Sequence, residues 1–276
     1  MPVNLLYCEG GSKSPDIRVI SVLLAGVCVV APSGGKYGFG QRVRLARELQ
    51  PSPLIAGLCD RDFDADITAP RESPREWQID NGKTWLGWRW ERKELENYLI
   101  DPGVVERALG GAMLDMEMYR AALQHAADTI AVYTAARVAL SLNRPRFAPL
   151  DNAWGPPRNL DAHPFPDALE EADCRTGIQT ILRDYAQTHS PVPQNVAEQF
   201  DSQLLLCRPG GVRHQHFLTF FAGKDLLLAM ETALAQFGFS SPRQFRERII
   251  KRIAESTENV WTWLPEWTLL RKMITT

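Results

Sequence analysis

The sequence lacks the features of membrane, secreted and small zinc-binding proteins. It contains no run of about 18 or more apolar residues, so no membrane-spanning helix is expected. The first apolar stretch has no basic segment before it and ends at Glu9, which does not fit a signal peptide. The five cysteines are widely spaced and include no CxxC pair, which argues against a disulfide framework and a zinc knuckle. We therefore expect a cytoplasmic protein.

An excess of positive charge is also missing. The formal net charge is −2 and the isoelectric point is about 6.2, which argues against a protein that binds nucleic acid by bulk charge alone. An enzyme with a carboxylate site and local basic patches stays compatible with this balance. With 276 residues, 45% of them hydrophobic, the chain has room for one large domain or two small ones with a sizeable core.

The first hundred residues alternate between strand-like and helix-like segments. Apolar runs predict strands over Val3–Cys8, Val27–Ala31, Leu54–Cys59 and Lys83–Trp90. Ser14-Pro15-Asp16 is expected to open a helix that runs to about Ala25, and a second helix is expected over Gln41–Leu49. This order predicts an α/β fold, a parallel sheet flanked by helices.

The rest of the chain is predicted to be mainly helical. We place the boundary after residue 105, so that residues 1–105 form the catalytic core and residues 106–276 a mainly helical region. Within that region, residues 213–230 are a candidate for packing back on the core. Helical periodicity covers Glu106–Leu142, with a break near Gly110-Gly111, and helices are expected near 168–188, 224–237 and 242–256.

Acidic residues follow two of the predicted strands. Glu9 comes after the first strand, and Asp60 and Asp62 come after the third. Because the carboxyl ends of parallel strands meet at one edge of a sheet, these acids are expected to converge. Carboxylate oxygens suit Mg²⁺, and two such ions stabilise the attacking and leaving oxygens of a phosphoryl displacement. Single Asp residues after strands are more often turn formers, but the combination of Glu-Gly with DxD favours a metal site.

These two motifs, in LLYCEGGSK and LIAGLCDRDFD, resemble those of the Toprim fold. Two further segments, WRWERKELENYLIDP and FFAGKDLL, resemble a Toprim-related, OLD-like nuclease family found beside ABC-type or AAA-type ATPases in bacterial anti-phage systems. The resemblance implies a Mg²⁺- or Mn²⁺-dependent nuclease that cleaves tRNA or DNA as the toxic effector of a defence system. It also implies an ATPase partner and a homodimer when active.

The resemblance further implies roles for individual residues. Glu9 would be the general acid/base or second-metal residue, with Asp60 and Asp62 as the main metal ligands. Glu96, in the E-N-Y-L segment, would add or orient a ligand, and Lys224, in the G-K-D segment, would stabilise charge on the phosphate.

Basic residues outside these motifs are candidates for nucleic-acid contact. Lys36 lies in a glycine-rich loop that matches neither a Walker A sequence nor GxGxxG. Arg243, Arg246 and Lys251 belong to a basic run after Ser240-Ser241-Pro242, for which a solvated helix face is the alternative.

Three other interpretations compete with these. The HxH of His214 and His216, placed on a predicted strand, has no further ligands nearby for a zinc site. A haloacid-dehalogenase-type phosphotransferase also uses DxD. In that class the motif follows the first strand, and Thr or Val stands two residues beyond its second Asp. A non-catalytic, partner-binding subunit of an ATPase defence complex is the third.

Overall fold

Strands and helices alternate at the start of the chain and give way to helices, as the composition predicts. The computed structural model describes residues 2–35, 38–49, 54–79, 82–110, 114–143, 150, 152–188 and 196–276. Its strands are β1 (Leu5–Cys8), β2 (Val29–Pro32), β3 (Ile55–Cys59), β4 (Arg75–Ile79) and β5 (Thr84–Arg89). Its helices are α1 (Pro15–Leu23), α2 (Phe39–Leu49), α3 (Glu96–Leu99), α4 (Pro102–Leu109), α5 (Met116–Leu142), α6 (Glu171–Thr188), α7 (Val196–Cys207), α8 (Val212–Gln215), α9 (Phe217–Phe220), α10 (Gly223–Ala229), α11 (Glu231–Gln236), α12 (Pro242–Glu255) and α13 (Pro265–Thr275).

The strands form one mostly parallel five-stranded sheet in the order β2-β1-β3-β5-β4. Strand β1 runs parallel to β2 and β3, and β3 runs parallel to β5. Strand β4, which the apolar pattern did not predict, is antiparallel to β5 at the edge of the sheet. Only Trp77 of β4 is buried, and the polar residues beside it hide the strand from an apolar pattern. The α/β class is confirmed, with an antiparallel edge strand added.

The apolar run of the second strand does not make it a central, buried strand. Strand β2 is the other edge of the sheet, and its Val29 is 64% exposed. An apolar run of β-branched residues fits a central strand and an edge strand equally well, so length and composition did not separate the two. The central strand β3 is buried along its whole length.

Helix α1 shows why the segment after the first strand folds as predicted. Ser14 is its N-cap and accepts a hydrogen bond from the Ile17 backbone N–H at 3.4 Å, and Pro15 takes the first helical position. On the sheet, a core cluster packs α2 against β3, β4 and β5; its buried members are Phe39, Val43, Cys59, Trp77 and Leu86. No described helix is both long and apolar enough to cross a lipid bilayer.

The chain divides into two compact units. The sheet unit comprises Met1–Arg61, Pro70–Leu114 and Arg246–Thr276, so the C-terminal segment returns to the sheet. In it, the Val3 backbone N–H donates to the Ile274 carbonyl at 2.9 Å, and Trp263 and Trp267 are buried. These two tryptophans are therefore core residues of this unit.

The helical unit comprises Asp62–Ala69 and Asp115–Phe245. Its longest helix, α5, begins at the N-cap Asp115, whose carboxylate accepts from the backbone N–H groups of Glu117 and Met118. Helices α6, α7 and α10 pack against α5. Phe63, from the segment that follows β3, packs with Val138 and Ala222 in a buried cluster of this unit.

Candidate metal centre

Two predicted ligands of the sheet unit lie beside each other. In the register of the parallel pair β1 and β3, Cys8 is opposite Leu58, so Glu9 and Asp60 both follow directly at the carboxyl end of the sheet. The Glu9 carboxylate, through Oε1, accepts a hydrogen bond from the Asp60 backbone N–H at 3.3 Å. Both side chains are half-buried. The predicted convergence of strand one and strand three therefore holds for this pair.

Position 10, directly after Glu9, requires a glycine for steric reasons. Gly10 has φ of +92°, in the left-handed region, and a Cβ there would lie 2.6 Å from Ser14 Oγ and 2.7 Å from Ser14 Cβ. Its backbone also exchanges two hydrogen bonds with Gly34, in the loop after β2. A larger residue would strain the turn that holds Glu9, which explains why Glu is followed by Gly.

The acidic segment after Asp60 packs into the helical unit. Arg213 donates to the Asp64 carbonyl, and Ser141 Oγ donates to the Phe63 carbonyl at 3.0 Å. Asp62, an exposed residue, belongs to this segment, so the sheet unit by itself supplies Glu9 and Asp60.

The two following aspartates act as turn formers. Asp64 Oδ1 accepts from the Asp66 N–H at 3.2 Å, and Asp66 Oδ1 accepts from the Thr68 N–H at 2.8 Å. Asx hydrogen bonds of this kind close local turns.

The donor atoms at the sheet edge suit a hard cation. Among the described residues, no group of three or more His, Cys, Asp or Glu side chains is arranged around a common point. Mg²⁺ commonly takes only one or two protein carboxylates and keeps several waters. Glu9 and Asp60 supply two carboxylates at this edge, which is the number that Mg²⁺ commonly takes.

Thiol chemistry at this edge is disfavoured. Cys8 and Cys59, which precede the two acids, are buried free thiols. Burial raises the pKa of the Cys8 thiol well above its usual value, with the nearby Asp16 carboxylate as a second cause. Burial therefore disfavours the reactive thiolate form of Cys8.

Glu96 lies in a buried ion pair. Its Oε1 accepts from Arg246 Nη1 at 3.0 Å, and the two side chains are 3% and 2% exposed. Both belong to the sheet unit, although 150 residues separate them in sequence. This pair accounts for the acid in the E-N-Y-L segment by a contact that stabilises the fold, and metal ligation by Glu96 stays a prediction.

Lys224 is half-buried at the start of α10 in the helical unit. The residue beside it is the more conspicuous one, because Asp225 is completely buried. Arg137 donates to Asp225 Oδ2, and His163 Nε2 lies 2.6 Å from Oδ1. Sequence reasoning missed this Arg137–Asp225–His163 network, whose only signal was an Asp inside an otherwise apolar segment.

The predicted nucleic-acid contacts differ in exposure. Arg243 and Lys251 are exposed on α12, and Lys251 Nζ lies 3.6 Å from Glu255 Oε1. Arg246, on the same helix, is buried against Glu96, so its guanidinium does not face solvent. Lys36 lies outside the described residues. We retain Arg243 and Lys251 as candidate phosphate contacts and leave Arg246 out.

The HxH segment is helical, and its assignment to a strand was wrong. Val212–Gln215 form α8, and His214 Nε2 lies 2.7 Å from Asp128 Oδ1 on α5. A period of two over so few residues did not distinguish a strand from a short helical turn. His214 is thereby accounted for by a contact between two helices.

No protein-family model matches the chain, and no curated protein matches it significantly.

Proposed function

We propose that this protein is a Mg²⁺- or Mn²⁺-dependent nuclease of the Toprim type that cleaves phosphodiester bonds in tRNA or DNA. The observation that carries the proposal is the hydrogen bond from the Asp60 N–H to the Glu9 carboxylate, at the carboxyl ends of two adjacent parallel strands. The motif resemblance supplies the expected chemistry, since Glu-Gly and DxD follow these same two strands.

In this proposal, Glu9 and Asp60 of the sheet unit hold the cation, with Asp62 as the further ligand that the DxD motif implies. The bound cation supplies Lewis-acid stabilisation of the phosphate oxygens. Glu9 is the residue that accepts a proton from the attacking water or orients it. Glu96 and Lys224 keep the secondary roles that the resemblance implies, and Arg243 and Lys251 contact the phosphate backbone.

The biological setting follows from the resemblance alone. We propose that the protein is the effector of a bacterial anti-phage system, held or released by an ABC-type or AAA-type ATPase and dimeric when active. The alternative, a non-catalytic subunit that binds the ATPase, shares this setting, so metal-dependent cleavage is what separates the two.

The test is a cleavage assay on a panel of substrates. Purified protein is incubated with tRNA, single-stranded DNA and double-stranded DNA, with Mg²⁺, with Mn²⁺ or with EDTA. We expect metal-dependent cleavage of at least one of them. Co-purification with an ATPase, without cleavage even after release from it, would favour the non-catalytic alternative.

A further inference from the structure

A buried charged network lies next to Asp60 in the sheet unit. Arg61, the residue between the two aspartates of DxD, has a fully buried side chain, whereas Asp60 is half-buried and Asp62 exposed. Burial alternates over these three residues as it does along a strand, where neighbouring side chains point to opposite sides, so a residue that is fixed inward directs its neighbours outward. The orientation of Asp60 therefore depends on what holds Arg61.

Glu91 holds Arg61 in two ways. Arg61 Nη1 donates to the Glu91 carbonyl at 2.9 Å and lies 3.4 Å from the Glu91 carboxylate, which is 1% exposed. The Arg61 backbone N–H donates to the Lys93 carbonyl at 3.0 Å, which ties the chain after β3 to the chain after β5. Two residues of one segment thus fix both the backbone and the side chain of Arg61.

Glu91 is itself fixed from several sides. Its carboxylate accepts from Arg75, with the Nη2 donor at 2.8 Å from Oε1, and from the Arg71 N–H at 3.3 Å. Its own backbone N–H donates to Glu266 on α13 at 2.8 Å. A buried carboxylate with so many charge-assisted partners has little freedom to move.

We propose that Glu91 is a positioning residue for the metal-binding edge, acting through Arg61 to fix the direction in which Asp60 presents its carboxylate. This inference rests on the proposed function. Residues behind a metal ligand that hold it in place commonly change metal affinity by about ten-fold to a hundred-fold when they are replaced. Glu91 is expected to belong to that group, although it touches neither the cation nor the substrate.

The experiment measures Mn²⁺ binding to the full chain by calorimetry or electron paramagnetic resonance. Glu91→Gln removes the carboxylate charge. Arg61→Lys keeps the positive charge but loses the planar guanidinium group and its several hydrogen-bond donors. Asp101→Asn is the matched control, because Asp101 is an acid of the same segment that pairs with an arginine, Arg92, at 2.7 Å and has no link to Arg61. Should Glu91→Gln fail to fold, Arg61→Lys carries the test alone.

We expect Glu91→Gln and Arg61→Lys each to weaken Mn²⁺ binding by about ten-fold or more. The Mn²⁺ affinity of the double variant should be close to that of the single variant that binds more weakly, because both substitutions break the same contact. Asp101→Asn should bind Mn²⁺ like the wild type. In cleavage assays, saturating Mn²⁺ should restore the rate of Glu91→Gln without a change in KM for nucleic acid. Circular dichroism without metal should show that the variant is folded, because metal binding also rescues a variant that is only destabilised.

Three outcomes contradict the inference, and they show whether the proposed function fails with it. Wild-type Mn²⁺ affinity in Arg61→Lys, or an equal loss in Asp101→Asn, would overturn the role of Glu91 and leave the proposed function standing. A wild-type protein that binds no Mn²⁺ and cleaves no nucleic acid would overturn both.

Discussion

Glu266 makes the stability of the sheet unit depend on pH. Its side chain is buried on α13, where it accepts hydrogen bonds from the Glu91 N–H at 2.8 Å and from the Tyr98 hydroxyl at 2.7 Å. Burial raises the pKa of this carboxyl from 4.5 to about 7, because desolvation of the charged form outweighs the two hydrogen bonds and the nearby Arg92, and Glu91 adds repulsion.

The sign of the effect follows from proton binding. Between about pH 4.5 and pH 7 the folded state holds a proton on Glu266 that the unfolded state has lost, so stability falls as pH rises through this range. At about 1.4 kcal/mol per unit, the shift corresponds to roughly 3 kcal/mol, present in full below pH 4.5 and lost above pH 7.

Urea denaturation of the wild type and of Glu266→Gln measures this contribution. Tryptophan fluorescence is the suitable signal, because every tryptophan except Trp154 lies in the sheet unit. The free energy of unfolding of the wild type minus that of Glu266→Gln should decrease by roughly 3 kcal/mol from pH 4.5 to pH 8. Taking this difference cancels the titration of the other groups.

Glu255→Gln is the control, since Glu255 is 51% exposed on its side chain. Its difference from the wild type should change by less than about 0.5 kcal/mol over the same range. A difference for Glu266→Gln that is flat between pH 4.5 and pH 8, or that increases, would refute the reasoning.

Three further substitutions probe the two units. In Gly10→Ala, the new Cβ stands on a left-handed backbone and collides with Ser14. The free energy of unfolding in urea should fall by about 1–3 kcal/mol, and Mn²⁺ binding should weaken. Gly11→Ala is the control, because a Cβ at Gly11 meets open space. Asp225→Asn breaks the buried contact with Arg137 and should lower the melting temperature through a loss of about 3–5 kcal/mol, as calorimetry would show. Asp115→Ala removes the N-cap of α5 and should cost about 1 kcal/mol in the same measurement.

Each of these has an opposing result. Equal stability of Gly10→Ala and Gly11→Ala would show that the turn at Glu9 is not strained by a side chain. A loss below about 1 kcal/mol in Asp225→Asn would remove the case for a buried ionic contact. An unchanged Asp115→Ala would mean that other groups cap α5.

The part of the candidate site that was predictable follows from the geometry of parallel sheets. Glu9 and Asp60 come directly after two apolar runs, and the ends of adjacent parallel strands meet whatever the rest of the chain does. The hydrogen bond between them is therefore the structural form of a pattern visible in the sequence. The N-cap Ser14 was equally local, and α1 begins where it indicates.

The rest depends on contacts between distant residues. Nothing local pairs Glu96 with Arg246, or brings Glu266 under Glu91, because 150 and 175 residues separate the partners. Arg246 appeared in the sequence as one member of a basic run on a solvated helix, and only tertiary packing selects it for burial. The importance of Asp225 was also not visible, because the motif drew attention to Lys224 and the sequence does not show the partners of a buried charge.

The most direct test of the central claim is the cleavage rate of Glu9→Gln beside that of the wild type and of Glu48→Gln, an exposed acid on α2. The assay uses whichever nucleic acid the wild type cuts in Mn²⁺, and circular dichroism checks that all three proteins are folded. We predict that Glu48→Gln cleaves at the wild-type rate, whereas Glu9→Gln loses about 10²–10⁴-fold, the usual contribution of a general acid or base. A folded Glu9→Gln that cleaves as fast as the wild type would contradict the metal-dependent mechanism at this edge of the sheet.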